Sequence, residues 1–193
     1  MSIDENTLAV NFEKYEKLTS RINDENIVCA VTELSTRLAT APHATRESQP
    51  GAWPGGLIDC SLRVTALMRS LLSAYGFDVP IESVLKVGLL HDIGKVGDLE
   101  NDLFIVQDSS WHREKLGEFF KYNENASRMP HASRTLFLLQ HFCIRLTHDE
   151  FVAISQAHGM SDEQRRFFGD NVPPLALVLR QARETLSRQY TVS

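Results

Sequence analysis

His91 and Asp92 stand side by side at the end of an apolar run, Ile81 to Leu90, and Lys95 follows three residues later. Burying an imidazole and a carboxylate together is costly unless something compensates them, and a divalent cation is the usual partner. Both groups are good donors to Mn, Fe, Zn or Mg. A metal held there would lower the pKa of a bound water. Lys95 would then bring a positive charge able to stabilise an anion beside it. Asp92 and Lys95 are therefore the candidate catalytic pair.

Two further histidines lie on stripes that face inward. His131 shares one with Thr135, Leu138, Leu139 and Phe142, in a helix opened by Pro130. His158 shares another with Phe151 and Ile154, in a helix opened by the capping box Thr147-His148-Asp149-Glu150. Taken singly, each is more often an ordinary core or surface histidine. His141 falls off its stripe and reads as structural.

The elements that must position these groups read as helix after helix. Phe12, Tyr15, Leu18 and Ile22 recur at helical spacing, as do Ile27, Val31, Leu34 and Leu38 beyond Asn23-Asp24. Leu57, Cys60, Val64, Leu67, Met68, Leu71, Leu72 and Tyr75 form a continuous stripe that Gly76 should cap. No alternating strand pattern, repeat or low-complexity tract is evident. The expected fold is all-α, a bundle of roughly seven to nine helices in a single domain over 1–193. Within it, 1–41 is a helical pair, 42–56 a Pro/Gly loop, and 57–190 the core. A loop that long is often functional, and its His43, Arg46 and Trp53 could meet a ligand; an incidental surface connection is the competing reading. The acids Asp98, Glu100, Asp102 and Asp108 read as mostly solvated, with one able to serve as a substitute ligand.

Composition narrows the function classes. A net charge of −5 and a pI near 5.8 argue against general affinity for nucleic acid or anionic membrane. Acids at Asp4 and Glu5 stand where a signal peptide would be basic, and no apolar run approaches a membrane span. The three cysteines are odd in number and far apart, which suits a reducing cytoplasm and excludes a disulfide framework.

The motif His91-Asp92-Ile93-Gly94-Lys95 resembles the signature of the HD superfamily of metal-dependent phosphohydrolases. The segment Gly55-Gly56-Leu57-Ile58-Asp59-Cys60-Ser61-Leu62-Arg63-Val64 is similar to Gly-Gly-Leu-Leu-Glu-His-Ser-Leu-x-Val of one HD branch. That branch includes stand-alone bacterial and phage proteins, exonucleases and relaxase domains. The resemblance implies an HD helical bundle and a metal pocket of His91, Asp92, His131 and His158. Its first ligand, a histidine, is here Cys60, whose thiolate can still bind zinc or iron. The last helix, Pro174-Leu175-Ala176-Leu177-Val178-Leu179-Arg180-Gln181-Ala182-Arg183, carries Arg183 where relatives close with Asp. A guanidinium cannot ligate a cation. It shares a helical face with Leu175, Leu179 and Leu186, so it should point toward the core, to pair with Asp92 or contact an anion.

Two functions follow. One is a phosphohydrolase acting on a nucleotide or nucleic-acid phosphoester with one divalent metal, with Lys95, Arg183 and Arg46 meeting the phosphate. The other is a degenerate HD domain, its metal lost, that binds a phosphorylated small molecule, a nucleic-acid end or a protein without turnover. A cyclic di-nucleotide hydrolase ranks behind both, because its paired histidines and Gly-Tyr-Pro motif are missing.

Overall fold

The computed structural model describes residues 5–191, so Asp4 falls outside it. The chain is mainly helical, as expected, with ten α-helices among the described residues rather than seven to nine. The N-terminal stretch holds three of them, α1 (Glu5–Thr19), α2 (Glu25–Glu33) and α3 (Ser35–Thr40). The expected second helix is interrupted at Leu34, whose ψ of 3° leaves helical geometry before α3 begins. Tyr15 on α1 is buried and donates its hydroxyl to the Leu89 carbonyl at 3.1 Å. That bond ties the N-terminal layer to the helix bearing the His-Asp pair.

The central pair is α4 (Gly56–Tyr75) and α5 (Ile81–Leu90). Leu57, Cys60, Val64, Met68 and Leu72 of the α4 stripe are buried, and Gly76 caps the helix in the left-handed region at φ 67°. Tyr75 instead is half exposed. Helix α5 is buried from Val84 to Leu90 and leads through His91 and Asp92 into a short 3-10 turn, Ile93–Val96. Gly94 lets this turn lie against the next core helix, because a Cβ there would meet the Thr135 backbone nitrogen at 2.5 Å.

One feature departs from the all-helical expectation. Strands β1 (Phe104–Val106) and β2 (Phe120–Tyr122) pair antiparallel, Phe104 opposite Tyr122, around α6 (Ser110–Leu116). Three residues are too few to print an alternation on the sequence. Beyond them come α7 (His131–His141), α8 (His148–Ser155), α9 (Asp162–Phe168) and α10 (Pro174–Thr191). The Thr147–Glu150 capping box is formed, and Glu150 is buried against Lys86 and Ser83. Helix α8 stops at Ser155, so His158 leaves on a turn, and Phe151 is exposed rather than inward. One apolar core draws residues from the N-terminal helices through α10. Among the described residues no helix is long and apolar enough to cross a membrane.

Candidate functional site

Five nitrogens surround one carboxylate. Asp92 is fully buried behind His43, Lys95, His158 and Arg183, four residues that line a cavity of about 500 Å³. Its Oδ2 lies 2.7 Å from His43 Nε2, 3.1 Å from Lys95 Nζ, 3.4 Å from Arg183 Nη2 and 3.5 Å from His91 Nε2. Its Oδ1 lies 2.7 Å from His158 Nε2. Burial would raise the carboxyl's pKa, but the positive charges of Lys95 and Arg183 hold it well below the usual range.

Backbone contacts fix how the imidazoles face this hub. His91 Nδ1 donates to the Gly88 carbonyl at 2.9 Å, which leaves Nε2 as a bare lone pair, buried and without a hydrogen-bond partner. His43 is oriented the same way, with Nδ1 donating to the Pro50 carbonyl at 3.0 Å and Nε2 turned to Lys95 Nζ at 2.8 Å. Burial first, then Lys95, lowers the His43 pKa to about 4, and burial above all lowers that of His91 to about 3. Both rings are therefore neutral near pH 7. His158 is turned oppositely: Arg183 Nη2 donates to its Nδ1 at 3.3 Å, so its Nε2–H donates to Asp92 Oδ1.

His131, at the start of α7, stands beside His158 with ring centroids 5.1 Å apart. Its Nε2 faces the Tyr122 hydroxyl at 3.3 Å, and it does not reach Asp92 by any hydrogen bond. Burial and the neighbouring Lys95 charge push its pKa down to about 4. Phe104 and Tyr122, which the sequence did not single out, line the same cavity with their rings tilted 58° to each other. Arg180, Arg183 and Glu184 line it from α10.

Other expectations are corrected by position. Arg46 bonds Glu118 through two guanidinium nitrogens, at 2.7 and 2.9 Å, beside a backbone bridge between the same residues. That pairing turns it away from the cavity, onto an adjoining surface depression. Trp53 packs against Tyr190 instead of a ligand. Asp98 accepts the backbone N–H groups of Glu100, Asn101 and Ser127, Asp102 pairs with Arg37, and Asp108 pairs with Lys121. These three acids organise loops and supply no substitute ligand.

Fit to a divalent cation turns on what already holds Asp92. Two positively charged groups lie within ion-pair reach of this one carboxylate, and a dication would have to enter beside both. Cys60 is buried, and burial first of all pushes its thiol up to about 12, so it carries no charge in the metal-free fold. Among the described residues no group of three or more His, Cys, Asp or Glu is disposed to hold a metal ion. With Lys95 and Arg183 in place, the expected set of His91, Asp92, His131 and His158, with or without Cys60, does not fit a resident metal. Comparison with family models, with curated proteins and with solved structures gives no match.

Proposed function

We propose that this chain is a degenerate HD-type domain that binds a phosphorylated ligand, a nucleotide or a nucleic-acid end, without a metal. The carrying observation is the pairing of Asp92 with Lys95 and Arg183, at 3.1 and 3.4 Å, in place of a cation. With His43 and His91 neutral, Lys95 and Arg183 set two positive charges against the one negative charge of Asp92. The surplus faces a cavity whose wall adds Arg180 and Glu184, the latter already paired with Arg188 at 2.7 Å. Phosphate is the anion these groups suit: charge-assisted hydrogen bonds to it are strong, and a partly dry site strengthens them. The exposed Tyr122 ring offers a face on which a base would stack. Arg183 contacts both Asp92 and His158 at the long end of hydrogen bonding, so a phosphate oxygen would be a better acceptor than either.

Calorimetric titration with inorganic phosphate and nucleoside monophosphates in excess EDTA tests this. Binding should survive the chelator and should weaken at least tenfold in Arg180→Ala. Turnover or binding that appears only when Mn²⁺ or Mg²⁺ is added would overturn the reading in favour of a metal-dependent phosphohydrolase.

A further inference from the structure

Tyr122 does not close the cavity it lines. Thr45, Gln49 and Tyr122 line both that cavity and a second depression of about 360 Å³, so the two adjoin at Tyr122. The second depression follows the chain from Tyr122 past Phe120 to Glu118, where Arg46 lies opposite in a backbone bridge. Four residues of extended chain separate Tyr122 from Glu118, which sets the Arg46 backbone on the order of 10 Å beyond the ring. A mononucleotide with its phosphate at Lys95 and Arg183 and its base on Tyr122 would leave Arg46 untouched. Arg46 sends Nε and Nη2 to the same oxygen, Glu118 Oε1, at 2.9 and 2.7 Å, and Nη1 takes no part in that pair. Half of its side chain is exposed. Exposed pairs hold loosely, and a guanidinium has five N–H donors, so Arg46 can take a phosphate oxygen while keeping Glu118.

The geometry points to the end of a single-stranded oligonucleotide as the ligand, with its terminal phosphate at Lys95 and Arg183, its first base on Tyr122 and its next phosphodiester on Arg46. This rests on the phosphate reading above and adds to it a second phosphate subsite and a minimum length of two nucleotides. A cation spaced from an aromatic face along an open groove is the arrangement that tracks a single strand. Because Arg46 is exposed, the strand can run on past it into solvent, which favours a polymer over a compact bisphosphate. Lys121 also lines the depression, but Asp108 already holds it at 2.8 Å. With Glu118 beside Arg46 and a net charge of −5, little is left for general backbone binding, so the contact is confined to a short end.

Thymidine monophosphate and the matching di- and tetranucleotides, each phosphorylated at the 5′ or the 3′ end, are titrated calorimetrically in EDTA at several salt concentrations. The proteins are wild type, Arg46→Ala, Arg46→Lys and Glu118→Gln. For the better-fitting end, wild type should bind the dinucleotide about tenfold more tightly than the monophosphate, the gain of one charge-assisted contact, with little more for the tetranucleotide. The logarithm of dinucleotide affinity should also fall more steeply with the logarithm of salt concentration, by about 0.7, as one added phosphate contact on a single strand requires. Arg46→Ala should remove most of the gain and the added slope, and Arg46→Lys should keep part of both. Glu118→Gln should enlarge the gain, because a competing carboxylate is gone; were Arg46 only a brace for the loop, losing its partner would reduce it. A dinucleotide no tighter than its monophosphate, or a gain that survives Arg46→Ala intact, overturns the second subsite and leaves the phosphate reading standing. Failure of every one of these ligands to bind overturns both.

Discussion

Arg183 Nη2 lies 3.4 Å from Asp92 Oδ2, across 91 positions of sequence, and couples the last helix to the turn after α5. Lys95 makes the shorter contact with the same oxygen, at 3.1 Å, and is the more deeply buried of the two cations. The two should therefore differ in worth. Lys95→Ala leaves a buried carboxylate and a facing imidazole without their shared donor, and should cost about 3–5 kcal/mol. Arg183→Ala leaves Lys95 and the histidine contacts in place and should cost about 1–3 kcal/mol, near the range for one hydrogen bond to a charged group. Urea unfolding of the two variants measures both. Equal losses, or a larger one for Arg183, would place the electrostatic centre at α10 instead.

The thiols should separate by reactivity. Cys29 and Cys143 are exposed, whereas Cys60 is buried and its thiol is pushed up to about 12. Only the thiolate attacks a disulfide reagent. Native protein should therefore yield two fast thiols with dithiobisnitrobenzoate and release the third only on unfolding. Three fast thiols in the folded state would mean that the wall of the site opens readily.

Helical periodicity carried most of the architecture, because burial of one face leaves a 3.6-residue imprint on each long helix. The stripe on α4, its glycine cap and the Thr147–Glu150 box were all legible for that reason. Strands β1 and β2 were not, being shorter than the window an alternation needs, and with them went the Phe104 and Tyr122 wall. Asp92 and Arg183 meeting could be anticipated from a shared inward face. His43 was visible only as a polar residue in a loop rich in proline and glycine. Its approach to Asp92 depends on a loop path fixed by the His43 N–H to Gly51 carbonyl bond of 2.8 Å and by Gly51's positive φ, neither of which is periodic. Arg46, from the same loop, showed the opposite outcome, since a distant Glu118 claimed it.

Gly51 should accordingly be intolerant of a side chain. At φ +78° any L-residue is strained, and the Cβ would collide with both His43 and Cys60. Gly51→Ala should lower stability by about 1–3 kcal/mol and displace the His43 ring from Lys95. In a folded variant, phosphate affinity should then change together with the His43 nitrogen signals. A Gly51→Ala protein as stable as wild type, with His43 unmoved, would show that the loop has slack here.

The last prediction concerns acid. His43 and His91 are neutral in the fold, with pKa values pushed down to about 4 and about 3, yet would titrate near 6.5 once unfolded. Between those limits the unfolded chain binds more protons, so stability must fall as pH drops from about 6.5 toward 4. Each group contributes up to about 1.4 kcal/mol per pH unit. Asp92 acts in the same direction at lower pH. Its folded pKa lies below the ordinary 3.8, so the stability it supplies is present above that value and is lost as pH falls through the folded one. Denaturant midpoints measured from pH 8 to pH 4 should hold level above about 7 and then decline steeply. His43→Asn should make that decline shallower, since one of the three depressed histidines, the others being His91 and His131, is gone. A stability profile flat from pH 7 to pH 5 would mean that these imidazoles already carry protons in the fold, and neutral rings could then no longer be part of the site.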